Sequence, residues 1–116
     1  MPDVVVTVPK SFGLDNWVAE GDAAGEPWSG AMWDFYTWGR KPDIQPGERV
    51  YVIYNGKLRG YAPLVSLEYN RGAVSFWRGG GAVAVTVDEP IRGFRGWRYR
   101  WWSRVDERPF DDWRIP

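Results

Sequence analysis

No cysteine and no histidine occur in the 116 residues. Their absence excludes disulfides, thiol nucleophiles, the usual zinc sites and the Ser-His and Cys-His arrangements of nucleophilic catalysis. Any catalysis would have to run on Lys, Tyr, Thr or carboxylates. Long apolar runs are missing too. No stretch approaches the roughly 20 residues needed to cross a bilayer. The opening "MPDVVVTVPK" has no basic region ahead of its apolar residues. The expected location is the cytoplasm, which a cysteine-free chain suits, and no membrane, metal or cofactor is expected as a partner.

Net charge is also lacking, with 15 basic and 15 acidic residues. That balance hides an asymmetry. Residues 1–35 carry six acids against Lys10, residues 36–105 carry twelve bases against five acids, and residues 106–116 carry four acids against two bases. The middle of the chain could therefore build a basic face.

Aromatic rings are abundant: nine Trp, six Tyr and five Phe make up 17% of the chain. Such rings bury much area per residue, and a small domain can use them for stability alone. An exposed ring is a stacking platform. The hydrophobic share of 44% is enough for a core, and the length fits one domain over residues 1–116.

Strand signals dominate. "VVVTV" (4–8) reads as a buried strand closed by Pro9, and a short helix is expected around 14–20, capped by Ser11 or Asp15 and ended by Gly21. "AMWDFYTWG" (31–39) fits strand alternation and also helical spacing through Trp33, Tyr36 and Arg40; it is read as a strand, with room for a helical turn before it. The clearest element is "RVYVIYNGKLRGYAPLVSLEY", a hairpin with strands 49–54 and 57–69 around an Asn55-Gly56 type I′ turn. Gly60 marks a bulge or close approach, and Pro63 marks a bend or an edge. Further strands are expected near 73–78 and 82–88, joined through Gly79-Gly80-Gly81, and in "FRGWRYRWW" (94–102), before an irregular tail anchored by Phe110 and Trp113. The fold class is mostly β (α+β), a small β-barrel with one or two short helices.

Two constellations bear on function. The strip "FRGWRYRWWSR" (94–104) interleaves four arginines with five rings and no acid. As a strand it puts Trp97, Tyr99 and Trp101 on one buried face, with Arg98 and Arg100 directed to solvent beside Trp102, where the arginines can meet phosphates. The second, "PWSGAMWDFYTWGRK" (27–41), places Trp33, Tyr36 and Trp38 beside Arg40 and Lys41. It reads either as a lid over the barrel or as a pocket for a flat ligand. "RGGGAV" lacks the Lys-Ser/Thr and following helix of a phosphate loop. The neighbouring acids Asp88-Glu89 and Asp111-Asp112 point to opposite faces of a strand and form no catalytic pair.

Gly47-Glu48-Arg49-Val50-Tyr51-Val52, followed by Gly60-Tyr61-Ala62-Pro63-Leu64-Val65, resembles the paired barrel strands of the PUA-like superfamily, especially its ASCH and EVE branches. Glu48 stands where Asp is usual, and "VPKSF" (8–12) resembles the family's first strand leading to its ligand loop. The resemblance covers about residues 4–69. It implies a cleft that binds RNA, or modified bases in DNA, with aromatic pockets in the EVE and related YTH branches. Some small ASCH proteins resemble amidohydrolases using a Lys, a Thr and a Glu; Thr37, Lys41 and Glu68 match that trio only loosely and out of order, which argues against an enzyme.

The combined reading is a module for nucleic acid (RNA or DNA) or nucleotide, reading a modified base in an aromatic pocket. Trp33, Tyr36 and Trp38 are its rings, and Arg40, Lys41, Arg98 and Arg100 take its phosphates; no catalytic residue is assigned. A small hydrolase of modified nucleosides and a protein-interaction module using exposed Trp and Arg remain as alternatives.

Overall fold

The computed structural model describes residues 3–8, 33–78 and 83–110. The expected helix at 14–20, the Gly79-Gly80-Gly81 connection and Trp113 lie outside them. So do the side chains of Trp33 and Tyr36, although the backbone of their strand is described.

Strands β1 (Val4–Thr7), β2 (Trp33–Trp38), β3 (Arg49–Tyr54), β4 (Lys57–Asn70), β5 (Ala73–Arg78) and β7 (Trp97–Tyr99) form one sheet in the order β2-β5-β4-β3-β1-β7. A second, two-stranded sheet pairs β6 (Val85–Thr86) with β8 (Arg108–Pro109), and a 3-10 turn covers Arg104–Asp106. The protein is mostly β.

The expected hairpin forms as read. Tyr54 pairs with Lys57 around Asn55 (φ 53°) and Gly56 (φ 78°), both in the left-handed region that a type I′ turn demands. The bulge at Gly60 is present as well: Val52 pairs with Gly60 but Ile53 with Leu58, so Arg59 is the extra residue. Pro63 pairs with Arg49 at the start of β3, and from Leu64 onward β4 pairs with β5 instead. A second shift between Leu64 and Ser66 leaves Val65 unpaired there.

These irregularities curl the sheet. Five strand spacings of about 4.8 Å would hold β2 and β7 about 24 Å apart in a flat sheet. Instead the Trp97 indole Nε1, on β7, donates to the carbonyl of Arg40, two residues past β2, at 2.8 Å. The sheet is thus a small, open barrel whose edges meet at a seam.

Both faces of its centre are buried. Val4, Val6, Val50, Val52, Leu64, Val74 and Phe76 fill the interior, with Trp97 and Tyr99 packed against them. Val5, Tyr51, Ile53 and Leu58 face outward but are covered by Val85, Val87, Ile91 and Trp102 from the C-terminal third. Burial on both faces explains why β1, parallel to β3, is an unbroken β-branched run.

Two segments are less regular than their sequence predicts. Of the 82–88 stretch, the described residues 83–88 contribute Val85–Thr86 and a bridge between Val83 and Tyr61. The 94–102 strip is a strand only over Trp97–Tyr99. Trp97 and Tyr99 share a face, as expected, and Arg98 is exposed. Trp101, expected to be buried, is instead 48% exposed, and Trp102 takes the buried place at 7%. The alternation ends because Arg100 turns inward: its amide donates to the Asp3 carbonyl and its Nε to Asp3 Oδ2 at 3.0 Å.

Candidate functional site

The seam opens into a cleft of about 370 Å³ lined by Trp38, Gly39, Arg40, Arg95, Gly96, Trp97, Arg98 and Tyr99. Three of these are rings, three are arginines and none is acidic. Trp38 is 62% exposed at the end of β2. Trp97 and Tyr99 are half-buried, their rings edge to face at 4.8 Å, and form the floor that separates the cleft from the core.

Each wall is held. Besides the Trp97–Arg40 bond, the amide of Asp43 donates to Tyr99 Oη at 2.8 Å, so both floor rings are tied to the segment after β2. The Arg40 guanidinium lies 5.7 Å from the Trp97 ring centroid, and that of Arg98 lies 4.5 Å from Phe94. Gly96 has φ +74°, and a Cβ there would stand 2.9 Å from the Trp38 carbonyl oxygen. Only glycine permits that approach of the two edges.

Of the residues singled out from the sequence, the cleft brings together Trp38, Arg40 and Arg98. Lys41 is exposed beside it but does not line it. Trp33 and Tyr36 stand opposite Arg78 and Ser75 in the β2–β5 register. Arg100 does not reach the cleft. Its Nε and Arg104 Nη2 lie 3.0 and 2.9 Å from Asp3 Oδ2, and the Asp3 side chain has no solvent exposure. A second Arg100 nitrogen donates to the carbonyl of Trp102. A buried carboxylate needs paired charge and hydrogen bonds, and Asp3 recruits Arg100 for that purpose. Burial alone would raise the Asp3 pKa. The amide of Arg49 and the guanidinium groups of Arg104 and Arg100 outweigh it and hold the carboxyl below its ordinary value of 3.8.

Arg95, Trp97 and Tyr99 are cleft residues that the sequence did not single out for binding. The paired faces of the 94–104 strip group Trp97 with Tyr99, but no local signal announces that β7 meets β2.

The loose trio of Thr37, Lys41 and Glu68 is not assembled. Thr37 pairs with Val74 and Glu68 with the next residue, Ser75, so the two stand on opposite faces of the sheet. Glu48 staples a turn: its Oε1 accepts from the Gln45 amide at 2.7 Å, while its buried Oε2 has no hydrogen-bond partner among the described residues.

On the far side, Glu107 accepts from Tyr51 Oη at 2.5 Å, Arg49 Nη1 at 3.0 Å and Trp102 Nε1 at 2.9 Å. This network pins the C-terminal segment over β3. Among the described residues no cluster of three or more acidic side chains is placed to hold a metal ion, and no helix is long and apolar enough to cross a membrane. No family, curated protein or solved structure matches the chain.

Proposed function

We propose that this domain binds nucleic acid or a nucleotide in the seam cleft, with a base against Trp38 and phosphate oxygens on Arg40, Arg95 and Arg98. One observation carries the reading: among the described residues, three rings and three arginines line a single cleft, with no acidic side chain lining it beside them. Rings offer any base a stacking surface, and guanidinium groups pair with phosphate oxygens in a forked geometry. Its volume is within the range of small-ligand sites. The PUA-like resemblance of the β3–β4 hairpin, at Gly47–Val52 and Gly60–Val65, supports the same reading, in which the cleft selects a modified base.

The test is a titration of wild type and Trp38→Ala with mononucleotides and with single-stranded DNA and RNA at two salt concentrations. Trp38→Ala is expected to weaken binding by about 1–3 kcal/mol. Competition between modified and unmodified nucleotides then reads the selectivity. No binding by the wild type at low salt would sink the proposal.

A further inference from the structure

We infer that the cleft receives one part of a longer ligand, a single-stranded phosphodiester chain that continues over the outside of β7 to a second ring platform at Trp101. The inference rests on the nucleic-acid reading of the cleft and deepens it from a nucleotide to a strand.

Trp101 is 48% exposed yet does not line the cleft, so a ligand that touches both it and Trp38 must leave the cleft. Its ring is oriented in advance. Phe94 meets it edge to face at 6.2 Å, and the buried Trp102 does so at 5.0 Å. A ring fixed beforehand loses little conformational freedom when a base stacks on it.

The segment that carries Trp101 and the β7 wall of the cleft is cationic. Residues 90–105 contain five arginines and no acid. Arg100 and Arg104 are engaged by Asp3, and the exposed side chains of Arg92, Arg95 and Arg98 remain on the surface. Arg98 leans over Phe94, the same ring that supports Trp101. The length also fits. Gly96 abuts Trp38, and the chain from Gly96 to Trp101 spans at most about 17 Å when extended. That upper bound corresponds to no more than about five stacked nucleotides at about 3.4 Å each, so both rings fall within the site sizes of single-strand binders.

The experiment compares uridine monophosphate with oligouridylate and oligodeoxythymidylate of about ten residues. The proteins are the wild type, Trp38→Ala, Trp101→Ala and Trp101→Phe. The wild type is expected to bind an oligomer at least about tenfold more tightly than the monophosphate. Trp101→Ala should remove about tenfold of oligomer affinity and leave the monophosphate unchanged. Trp101→Phe, which keeps a ring, should retain most of the oligomer affinity, and Trp38→Ala should weaken both ligands. Binding of either oligomer in this pattern supports the inference, and the preferred one identifies the sugar. If the monophosphate responds to Trp38→Ala while both Trp101 variants bind oligomers like the wild type, the strand path is overturned and the cleft stands. If neither class of ligand binds at low salt, both readings fall.

Discussion

The carbonyl oxygen of Gly72 accepts the amide of Gly39 at 2.9 Å, so the β2–β5 ladder continues right up to the point where the chain turns to meet β7. The seam is therefore anchored on one side by backbone pairing and bridged on the other by two side chains, Trp97 and Tyr99. Its geometry depends on Gly96. Gly96→Ala would place a methyl against the Trp38 carbonyl at a positive φ, and about 1–3 kcal/mol of stability should be lost in denaturant unfolding. Trp97→Phe, which keeps a ring but removes the bond to Arg40, should lose about 1 kcal/mol. Equal stability of Gly96→Ala and wild type would show that the edges are not held together as described.

Asp3 ties the start of the described chain to residues about a hundred positions later, through Arg100 and Arg104. Its folded pKa is depressed, so it contributes stability at pH values above its ordinary 3.8 and loses that contribution as pH falls through its lower, folded value. Asp3→Asn should cost about 3 kcal/mol near neutrality, because two guanidinium groups lose their buried partner. It should also flatten the acid limb of stability against pH below about 4. Chemical unfolding of both proteins across that limb is the measurement. Parallel curves would exclude Asp3 as its source.

Glu107 and Tyr51 make the opposite prediction at alkaline pH. Burial first, then the hydrogen bond to Glu107, raises the Tyr51 phenol well above its ordinary 10.0, against an opposing pull from Arg49. A raised folded pKa means that stability is complete below 10.0 and declines as pH climbs past it, where the unfolded phenol ionises and the folded one does not. Spectrophotometric titration should show one tyrosine lagging the others, and Tyr51→Phe should abolish the laggard. Glu107→Ala should cost about 3–5 kcal/mol, since it strands the Arg49 charge along with the Tyr51 and Trp102 donors.

What was legible in the sequence is what local chemistry decides. Asn55-Gly56 carries its own turn, and β-branched runs carry their own strands. The companion turn at Arg71-Gly72 is of the same kind, with φ 52° and 84°, but it passes unnoticed because arginine rarely adopts a left-handed conformation. The fates of Trp101 and Trp102 were not legible. Alternation treats them as continuing β7, whereas the buried ring is chosen by Tyr51, 5.1 Å away and from a different strand, and by Glu107. The candidate site shows the same division. Trp38, Arg40 and Arg98 are marked by their ring-and-arginine setting, but their convergence depends on a sheet curling through bulges at Arg59 and Val65.

That difference between Arg98 and Arg100, two positions apart in a strip that looks uniform, can be measured directly. Arg98 is exposed at the cleft and Arg100 is engaged by Asp3. If nucleic acid binds at the seam, each phosphate contact made by an arginine releases counterions and steepens the fall of affinity with salt. Arg98→Ala should reduce the slope of log affinity against log salt by about one contact and leave unfolding stability near the wild-type value. Arg100→Ala should do the reverse: stability falls by about 2–3 kcal/mol because Asp3 loses a buried charge-assisted hydrogen bond, and the salt slope holds. Affinities at several salt concentrations, paired with denaturant unfolding of the same proteins, separate the two. A reduced slope for Arg100→Ala with unchanged stability would mean that Arg100 leaves Asp3 to meet phosphate, and the strip would then present both arginines to the ligand.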